Sequence, residues 1–244
     1  MHEKRFCCAV GVLVAGIFVL ASGAQAAGYS GGSGTESDPY QITTVTDWVT
    51  LTATGDDWDK YFVLSDDIDF SDATLMPIGY SSMYFLGVVD GKGHVLRNYQ
   101  ISQTGSNYAG LFGYIGIGGK IQNLGVESIK VVGKSYVGGL VGYNKGTVTS
   151  CYTTGTVTGE EDVGGLVGNN YGGTITSCYS TSKVLGETHV GGLVGRNSGS
   201  ISLCYATKEL AESNSYVGGL VGRNSGSITS CYASGWVWYC NDYI

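Results

Sequence analysis

The chain has 244 residues, 43% of them hydrophobic, and its formal net charge is −7 at pH 7. This acidic balance argues against nucleic acid as a partner, because phosphate contacts require an excess of Lys and Arg. The hydrophobic share is too high for intrinsic disorder, so 41 glycines against 2 prolines indicate a folded chain that uses glycine structurally.

The first 26 residues have the pattern of a secretory signal peptide. Lys4 and Arg5 form a basic start, residues 9–21 are apolar but too short to span a bilayer, and Ala24-Gln25-Ala26 is a small-x-small cleavage site. No later segment is continuously apolar enough to span a bilayer. We therefore predict that the mature protein is secreted or at the cell surface, and that it is not an integral membrane protein.

The rest of the chain divides by composition into four parts. Residues 27–37 are rich in Gly and Ser, and we expect them to be flexible. Residues 38–80 should form an N-terminal cap with the first strands, including a short helix that has Thr46 as its N-cap. Residues 81–235 carry repeats. Residues 236–244 form an aromatic tail, which we interpret as the truncation point of a longer protein or as a cap that folds back.

A repeat of about 27 residues dominates the second half of the chain. Gly-Leu dipeptides recur at steps of 29, 26, 27 and 27 residues, and Cys-Tyr pairs recur at steps of 27, 26 and 27. The first column contains Leu111, Leu140, Leu166, Leu193 and Leu220, and the second contains Cys151, Cys178, Cys204 and Cys231. Two columns with the same period indicate a repeat array.

The composition of each unit favours short strands. Runs rich in Val, Ile, Thr and Tyr alternate with turn sequences such as Asn197-Ser198-Gly199. A propeller blade needs roughly 40 residues, whereas about 27 suit one coil of three short strands and three turns. We therefore predict an all-β fold, a right-handed parallel β-helix whose coils stack about 4.8 Å apart.

The repeated cysteines are predicted to be buried packing residues. We extend their column upstream to Leu124 and then to Tyr99, so the position also accepts other apolar side chains. A disulfide ladder is the alternative in an exported protein. However, stacked side chains on adjacent parallel strands stand too far apart for an unstrained bridge. No CxxC-type pair is present, and we expect neither a metal site nor a cofactor.

The residue before each of these cysteines is predicted to bend the corner, because Asn tolerates left-handed backbone conformations. The bend points the following tyrosine outward and creates an aromatic ladder. The ladder consists of Tyr152, Tyr179, Tyr205 and Tyr232. It either covers the wall of the β-helix or offers a stacking platform to sugar rings or a protein partner. These four tyrosines are the candidate ligand-binding residues.

One repeat has an extra residue. The segment Asn169-Asn170-Tyr171-Gly172-Gly173 is one residue longer than its counterparts, and we predict a small bulge at that corner.

The recurrent Val-Gly-Gly-Leu-Val-Gly-x-Asn-x-Gly-x-Ile-x-x-Cys-Tyr, as in Val217–Tyr232, resembles the GLUG-motif repeat family of bacterial exported and cell-surface proteins. Other segments similar to family members are Gly31–Leu51, Tyr61–Phe70, Pro77–Gly79 and Asp90–Ile101. The resemblance implies a β-helical surface domain, of the kind found in adhesin-like proteins and beside peptidase domains of bacterial immunoglobulin-cleaving enzymes. It implies no catalytic residue for the repeat, and this chain has no H-E-x-x-H peptidase signature.

Motifs of catalysis and metal binding are weak. The acidic run Asp66–Asp72 fails the EF-hand pattern, because Asp72 stands where a glycine is needed, and we interpret the run as a solvated acidic corner. Asp90, His94 and Arg97 are the tightest acid-histidine-base cluster, although turn formation explains Asp90 better. His189 replaces a tyrosine of other coils and is interpreted as structural.

Outward Thr and Ser pairs recur on every coil. Flat threonine ladders are typical of ice-binding faces, but here half the threonines are replaced by serine, and a half-exposed strand explains the pattern. We predict a non-catalytic surface or adhesion module that contacts a surface glycan or a protein of a host or neighbouring cell. The alternative is a carbohydrate-active β-helix.

Overall fold

The structure, a computed structural model, describes residues 28–208, 210–211 and 215–238. The predicted signal peptide and residues 239–244 of the predicted tail lie outside these ranges. The described residues form a β-solenoid of parallel sheets with about six turns of about 27 residues, which confirms the predicted fold class. Within the same ranges, no helix combines the length and the apolar character needed to cross a bilayer.

The described strands form four parallel sheets, which the chain visits in the order 1, 2, 3 and 4. Sheet 1 contains Tyr40–Ile42, Tyr61–Leu64, Val88–Asp90, Lys120–Gln122, Thr147–Thr149, Thr174–Thr176, Ser200–Ser202 and Ser227–Thr229. Sheet 2 contains Ile68–Thr74, Val95–Ser102, Gly125–Val132, Tyr152–Thr158, Tyr179–Ser180, Lys183–Leu185, Tyr205–Ala206, Leu210–Ala211, Tyr232–Ala233 and Val237–Trp238. Sheet 3 contains Ser135–Gly138, Glu161–Gly164, Thr188–Gly191 and Ser215–Gly218. Sheet 4 contains Phe112–Ile115, Val141–Asn144, Val167–Asn170, Val194–Asn197 and Val221–Asn224.

A complete coil therefore has four sides, and the prediction of three strands per coil is wrong. The Gly-Leu segment divides one predicted side into sheets 3 and 4. At Gly139, an added Cβ would lie 2.5 Å from the carbonyl oxygen of Gly165 in the next coil. Glycine is needed there because successive backbones approach too closely for a side chain.

The coils stack with like residues in register. Val148 pairs with Ile175, Ile175 with Ile201, and Ile201 with Ile228. Val148, Ile175 and Ile201 are buried inside the solenoid, as are the leucines of the Gly-Leu column from Leu111 to Leu193. Ile228, in the last described coil, is 38% exposed. Removal of this apolar surface from water supplies the main driving force for stacking.

The corners between sheets 1 and 2 have the predicted left-handed conformation. The corner residues, with φ between 53° and 55°, are Asn123, Ser150, Ser177, Leu203 and Ser230. Asn98 is also left-handed but lies within the strand Val95–Ser102 of sheet 2. The extra residue of the longer repeat lies at another corner, between sheets 4 and 1. Gly172 adopts φ 75° there and Tyr171 is exposed, so the predicted bulge is present.

The upstream extension of the cysteine column is correct at Leu124 and wrong at Tyr99. Ile121 pairs with Val89 in sheet 1, whereas Tyr99 lies in sheet 2 beside Asn98. The pattern behind the column is two apolar residues three positions apart with a left-handed residue between them. The error arises because this pattern occurs at more than one place in a coil. The spacing alone therefore does not identify the corner.

A short helix covers the first coil, but its start differs from the prediction. The helix spans Val45–Ala53 and Thr44, not Thr46, is the N-cap, because Asp47 completes a capping box with Thr44. A 3₁₀ turn follows at Gly55–Asp57. Trp48 is fully buried, and its ring makes edge contacts with Phe70 and Phe112, so the helix closes the open end of the core.

The Gly/Ser-rich segment before the helix makes specific contacts. The ring of Tyr29 lies 4.3 Å from that of Tyr40, and the backbone N–H of Gln41 donates to the carbonyl of Gly31. The flexibility expected for residues 27–37 stays a prediction.

Candidate functional site

The predicted tyrosine ladder is present on the wall of sheet 2. Tyr152, Tyr179, Tyr205 and Tyr232 pair in register, each above the last. Successive ring centroids are 4.8, 4.8 and 5.1 Å apart, with rings inclined by 1°, 2° and 7°. The ladder therefore presents a regular row of ring edges and hydroxyl groups along the wall.

The first tyrosine of the ladder is fixed by a carboxylate. The hydroxyl of Tyr152 donates to Oε1 of Glu127 at 2.7 Å. Burial and this hydrogen bond raise the pKa of Tyr152 well above its usual range, so the hydroxyl stays protonated. Its neighbour in the preceding coil is Gly125, where an added Cβ would meet the ring of Tyr152. The ladder ends there because glycine has no ring, and the ring of Tyr152 fills the space beside it.

Stacking limits what the ladder can bind. Tyr179 and Tyr205 each have a parallel ring on both sides, so neighbouring rings cover much of their faces. Tyr232, at the last described coil, is 58% exposed. The ladder suits hydrogen bonding along its edges better than stacking against sugar rings.

A second aromatic surface lies on the adjacent walls of sheets 3 and 4. We call it the tyrosine patch. It consists of Tyr84, Tyr108, Tyr114, Tyr136, Tyr143 and Tyr171. Its rings lie 4.8–5.9 Å from their neighbours at interplanar angles from 22° to 80°. Tyr84 and Tyr171 are exposed, whereas Tyr114 is only 9% exposed and supports the other rings from beneath. Because the rings are tilted differently, the accessible ones present both faces and edges.

One lysine lies over the patch. Nζ of Lys145 is 5.4 Å from the ring centroid of Tyr171 and 5.8 Å from that of Tyr114. These are cation–π distances. Beside the lysine, Tyr84, Leu86 and Ile117 border a shallow depression of about 170 Å³, and all three side chains are exposed. The patch therefore combines aromatic faces, hydroxyl groups, an amine and an apolar rim.

The sequence contains a signal for this patch outside the leucine and cysteine columns of the repeat. Tyr114 and Tyr143 both stand three residues after the leucine of a Gly-Leu dipeptide. Their column continues as Asn169, Arg196 and Arg223, so only its first part is aromatic. A column that changes chemistry from coil to coil is hard to recognise as a surface feature.

The acid-histidine-base cluster centres on Asp67. Its Oδ2 accepts from Arg97 at 2.6 Å, and its Oδ1 lies 3.2 Å from Nδ1 of His94. The backbone N–H of Val95 and these two side chains lower the pKa of Asp67. Asp67 is therefore paired with basic side chains. All four aspartates of the run Asp66–Asp72 are exposed to solvent, as expected for the acidic corner.

Asp90 has different partners from those the sequence suggested. Its carboxylate accepts from the side chains of Gln122 and Asn123 and from the backbone N–H of Lys92. Burial opposes ionisation, but these hydrogen bonds outweigh it and lower the pKa of Asp90. The residue also borders a depression of about 330 Å³ together with Glu36 and Lys120.

The cysteines lie where the sequence predicted. Cys151, Cys178 and Cys204 are buried free thiols, and Cys231 is half-buried and also free. The Sγ atoms of Cys178 and Cys204 accept from the backbone N–H of the cysteine in the preceding coil, at 3.4 and 3.3 Å. The thiols therefore fill the core and satisfy backbone groups, and the disulfide alternative is excluded for these four residues in this structure.

Comparison with known proteins identifies the repeat. Residues 133–158, 159–185 and 213–237 match the family model described as the GLUG motif. The chain is 34% identical over 147 residues to halomucin of Haloquadratum walsbyi. The aligned segment covers 56% of this chain and 2% of halomucin. The chain is also 33% identical over 154 residues to a proposed Gly-rich membrane protein of Evansella cellulosilytica. That alignment covers 59% of this chain and 17% of the membrane protein.

A solved structure shares the fold. The crystal structure of a proposed immunoglobulin A1 protease from Bacteroides ovatus superposes with a TM-score of 0.63 over 84% of this chain and 78% of that chain. The sequence identity of 22% is too low to carry more than the architecture. The family expectation from the sequence is confirmed: the β-helix of this chain carries GLUG-motif repeats at residues 133–158, 159–185 and 213–237.

Proposed function

We propose that this protein is an exported, non-catalytic surface module whose β-helix binds a glycan through its tyrosine patch. The observation that carries the proposal is the patch itself, six tyrosines of different tilt with Lys145 over them. The predicted signal peptide and the names of the two relatives, a halomucin and a membrane protein, support a place at the cell surface.

The chemistry of the patch favours a carbohydrate over a protein partner. Tyrosine offers an apolar ring to the C–H face of a sugar and a hydroxyl to its polar groups. The depression beside Tyr84 is shallow, which suits an extended chain of sugars lying along the wall more than one deeply buried ligand. Lys145 adds one positive charge, so a glycan with carboxylate or sulfate groups fits best.

The tyrosine ladder is the second binding surface of the proposal. Tyr152, Tyr179, Tyr205 and Tyr232 would contact the same or another glycan through their edges and hydroxyl groups. A long solenoid with two aromatic walls can hold a polymer at several points, and weak contacts then add up through multivalency.

Binding to arrays of neutral and acidic glycans tests the proposal directly. Residues 27–244 should bind a subset of the array, and Tyr84→Ala with Tyr171→Ala should weaken that binding at least about tenfold without unfolding, because both side chains are exposed. Tyr179→Ala with Tyr205→Ala is the matched pair on the ladder. Loss of binding in the ladder pair alone would move the site to sheet 2. Binding unchanged in both pairs, or no glycan bound at all, would overturn the proposal.

A carbohydrate-active β-helix is the second candidate function. The depression at Asp90, with a second carboxylate from Glu36 and amines from Lys92 and Lys120, is the observation that favours it. Two carboxylates beside one another are the usual requirement for glycoside hydrolysis. Release of reducing sugar ends from a glycan that the protein binds, abolished by Asp90→Asn, would establish this function and contradict the non-catalytic one.

A further inference from the structure

The walls of sheets 3 and 4 contain a buried polar cluster that neither the repeat nor the tyrosine surfaces explain. One column of sheet 3 is occupied in successive coils by Tyr136, Asp162, His189 and Tyr216, all with left-handed backbone. Two tyrosines at the ends thus enclose an acid and a histidine. Asp162 is fully buried and His189 is 5% exposed.

The acid and the histidine are in direct contact between neighbouring coils. Oδ1 of Asp162 lies 2.7 Å from Nδ1 of His189. Glu161 is adjacent and more exposed, with its Oε1 4.0 Å from the same nitrogen. One ligand atom from each of these three residues lies within 4.8 Å of the other two. Three potential ligands therefore converge from two coils.

A fourth residue, Asn169, contacts this cluster through a buried amide, one end of which has no partner. Asn169, which is 3% exposed, donates from Nδ2 to Oδ2 of Asp162. Its Oδ1 is buried and has no hydrogen-bond partner. A buried amide oxygen without a partner costs about 1–3 kcal/mol. The O and N ends of an amide have nearly the same shape and are assigned from their hydrogen bonds, so the same side chain can face a cation beside Asp162 with its oxygen.

We propose that Glu161, Asp162 and His189 bind a divalent transition-metal ion, with Asn169 as a supplementary oxygen ligand. Zn²⁺ is bound by histidine nitrogen and carboxylate oxygen at about 2.0–2.2 Å. An imidazole among oxygen ligands favours Zn²⁺ or a similar transition ion over Ca²⁺, which takes oxygen ligands only.

The geometry requires a small rearrangement. Ligand atoms at that distance from one ion stand about 3–3.5 Å apart, so the 2.7 Å contact between Asp162 and His189 opens slightly and Glu161 moves inward. Nδ1 must carry no hydrogen when it binds the metal, so His189 takes the tautomer with its hydrogen on Nε2 and the carboxylate of Asp162 binds unprotonated. The exposed side chain of Glu161 provides the path from solvent.

Such an ion would act as a clip between coils. Glu161 and Asp162 belong to one coil, and His189 belongs to the next, 27 residues further along the chain. Bound metal would tie these coils together beside the tyrosine patch. It would also replace a buried hydrogen bond by ligand bonds that form only in the folded protein, so metal should raise the stability of the fold.

The chain itself supplies a matched variant. His189→Tyr restores the residue found at Tyr136 and Tyr216 in the same column, so the coil should still fold while the nitrogen ligand is lost. Asp162→Asn removes a ligand charge and keeps the shape. His94→Gln is the control, because His94 also faces a carboxylate but lies at the other end of the solenoid.

Calorimetric titration with Zn²⁺ alone, with Co²⁺ absorption as a second readout, tests the proposal on residues 27–244. We expect one ion per chain, affinity at least about tenfold weaker in His189→Tyr and in Asp162→Asn, no change in His94→Gln, and a higher melting temperature with Zn²⁺ in the parent protein alone. Circular dichroism of both variants confirms that they fold. No binding, equal binding by His189→Tyr, or a Co²⁺ spectrum with thiolate charge-transfer bands from cysteine ligation would overturn it.

Discussion

Asn170 and Asn197 lie one above the other in successive coils, and Nδ2 of Asn170 donates to Oδ1 of Asn197 at 2.8 Å. The same bond joins Asn144 to Asn170 at 2.8 Å and Asn197 to Asn224 at 2.7 Å. The first three of these asparagines are fully buried. This ladder marks the corner between sheets 4 and 1, where its side chains also bind backbone groups of the following turn, such as the N–H of Gly146.

Interruption of the asparagine ladder should destabilise the fold strongly. Asn170→Ala would break both of its ladder bonds, to Asn144 and to Asn197, and its bond to the carbonyl of Gly173. We expect a loss of about 2–4 kcal/mol in the free energy of unfolding, since each of these three hydrogen bonds contributes about 0.5–1.5 kcal/mol. Urea denaturation followed by circular dichroism measures it.

The matched control is Asn224→Ala, at the exposed end of the same ladder. This substitution breaks one bond between ladder asparagines, the one from Asn197, where Asn170→Ala breaks two. The side chain of Asn197 still donates to the carbonyl of Gly199. We expect a loss of less than about 1 kcal/mol. Equal losses in both variants would show that the ladder does not contribute through its buried hydrogen bonds.

Leu203 is an exposed leucine in a conformation that suits asparagine. It has φ 55° and is 60% exposed, whereas the equivalent corner two coils back along the column from Ser177 carries Asn123. The left-handed conformation costs roughly 1–2 kcal/mol for most residues other than glycine and less for Asn. Leu203→Asn should therefore raise the free energy of unfolding by about 0.5–1 kcal/mol, measured by the same urea titration. A decrease in stability would mean that the leucine makes an apolar contact that its exposure does not reveal.

The stacked thiols should differ in reactivity. Burial raises the pKa of Cys178 far above the usual range, and the hydrogen bond with Cys178, together with burial, does the same for Cys204. The thiolate is the reactive form, so both should resist alkylation at pH 8 until the protein unfolds. Cys231 is half-buried, and although burial also raises its pKa, it should react at least about tenfold faster.

Timed iodoacetamide labelling with mass spectrometry of peptides measures these rates. Cys240, which lies outside the described residues, is replaced by serine so that it does not compete. Labelling of Cys178 as rapid as that of Cys231, or a disulfide between Cys151 and Cys178 in the folded protein, would contradict the packing.

The helix cap should make stability depend on pH through Asp47. Burial alone would raise the pKa of this carboxylate, but donors from Thr43, Ser30 and Thr44 outweigh burial and lower it. A carboxyl group whose pKa is lower in the folded than in the unfolded protein stabilises the fold at pH values above its unfolded pKa of about 3.9. That contribution is lost as the pH falls through the folded pKa.

Asp47→Asn should thus cost about 1–2 kcal/mol at pH 7, and the difference from the parent protein should shrink below about pH 4. Thermal melts across this range measure the effect. Asp59→Asn is the control, because the side chain of Asp59 is 59% exposed and its loss should cost less than about 0.5 kcal/mol. A difference that stays constant down to pH 2 would contradict the role of the ionised carboxylate.

The parts of the structure that repeat most regularly were predictable from the sequence. Ile175, Cys178 and Tyr179 recur with one period, so their stacking, their corner and the direction of each side chain followed from position alone. The four-sided coil did not follow, because a glycine bend such as Gly139 carries no signal that distinguishes a corner from a strand.

The polar cluster could not be predicted for a different reason. Asp162 and His189 occupy a column that contains tyrosine in the coils on either side. In the sequence, such a change of residue type in one coil cannot be distinguished from a neutral substitution. Its partner Asn169 belongs to another sheet, and only the folded coil brings its amide to Asp162. Contacts between different columns depend on the cross-section of the solenoid, which the period does not specify.

The central claim is that residues 26 or 27 positions apart stack in register, since the ladder, the patch and the metal site all depend on it. Lys120 and Ser227 stand in one column of sheet 1, four strand spacings apart. Nitroxide-bearing amino acids at these two positions, measured by pulsed electron resonance, should give a narrow distance distribution near 19 Å between the backbones, from about 4.8 Å per strand. A distribution centred beyond about 30 Å, or one without a defined maximum, would contradict the stacked coil.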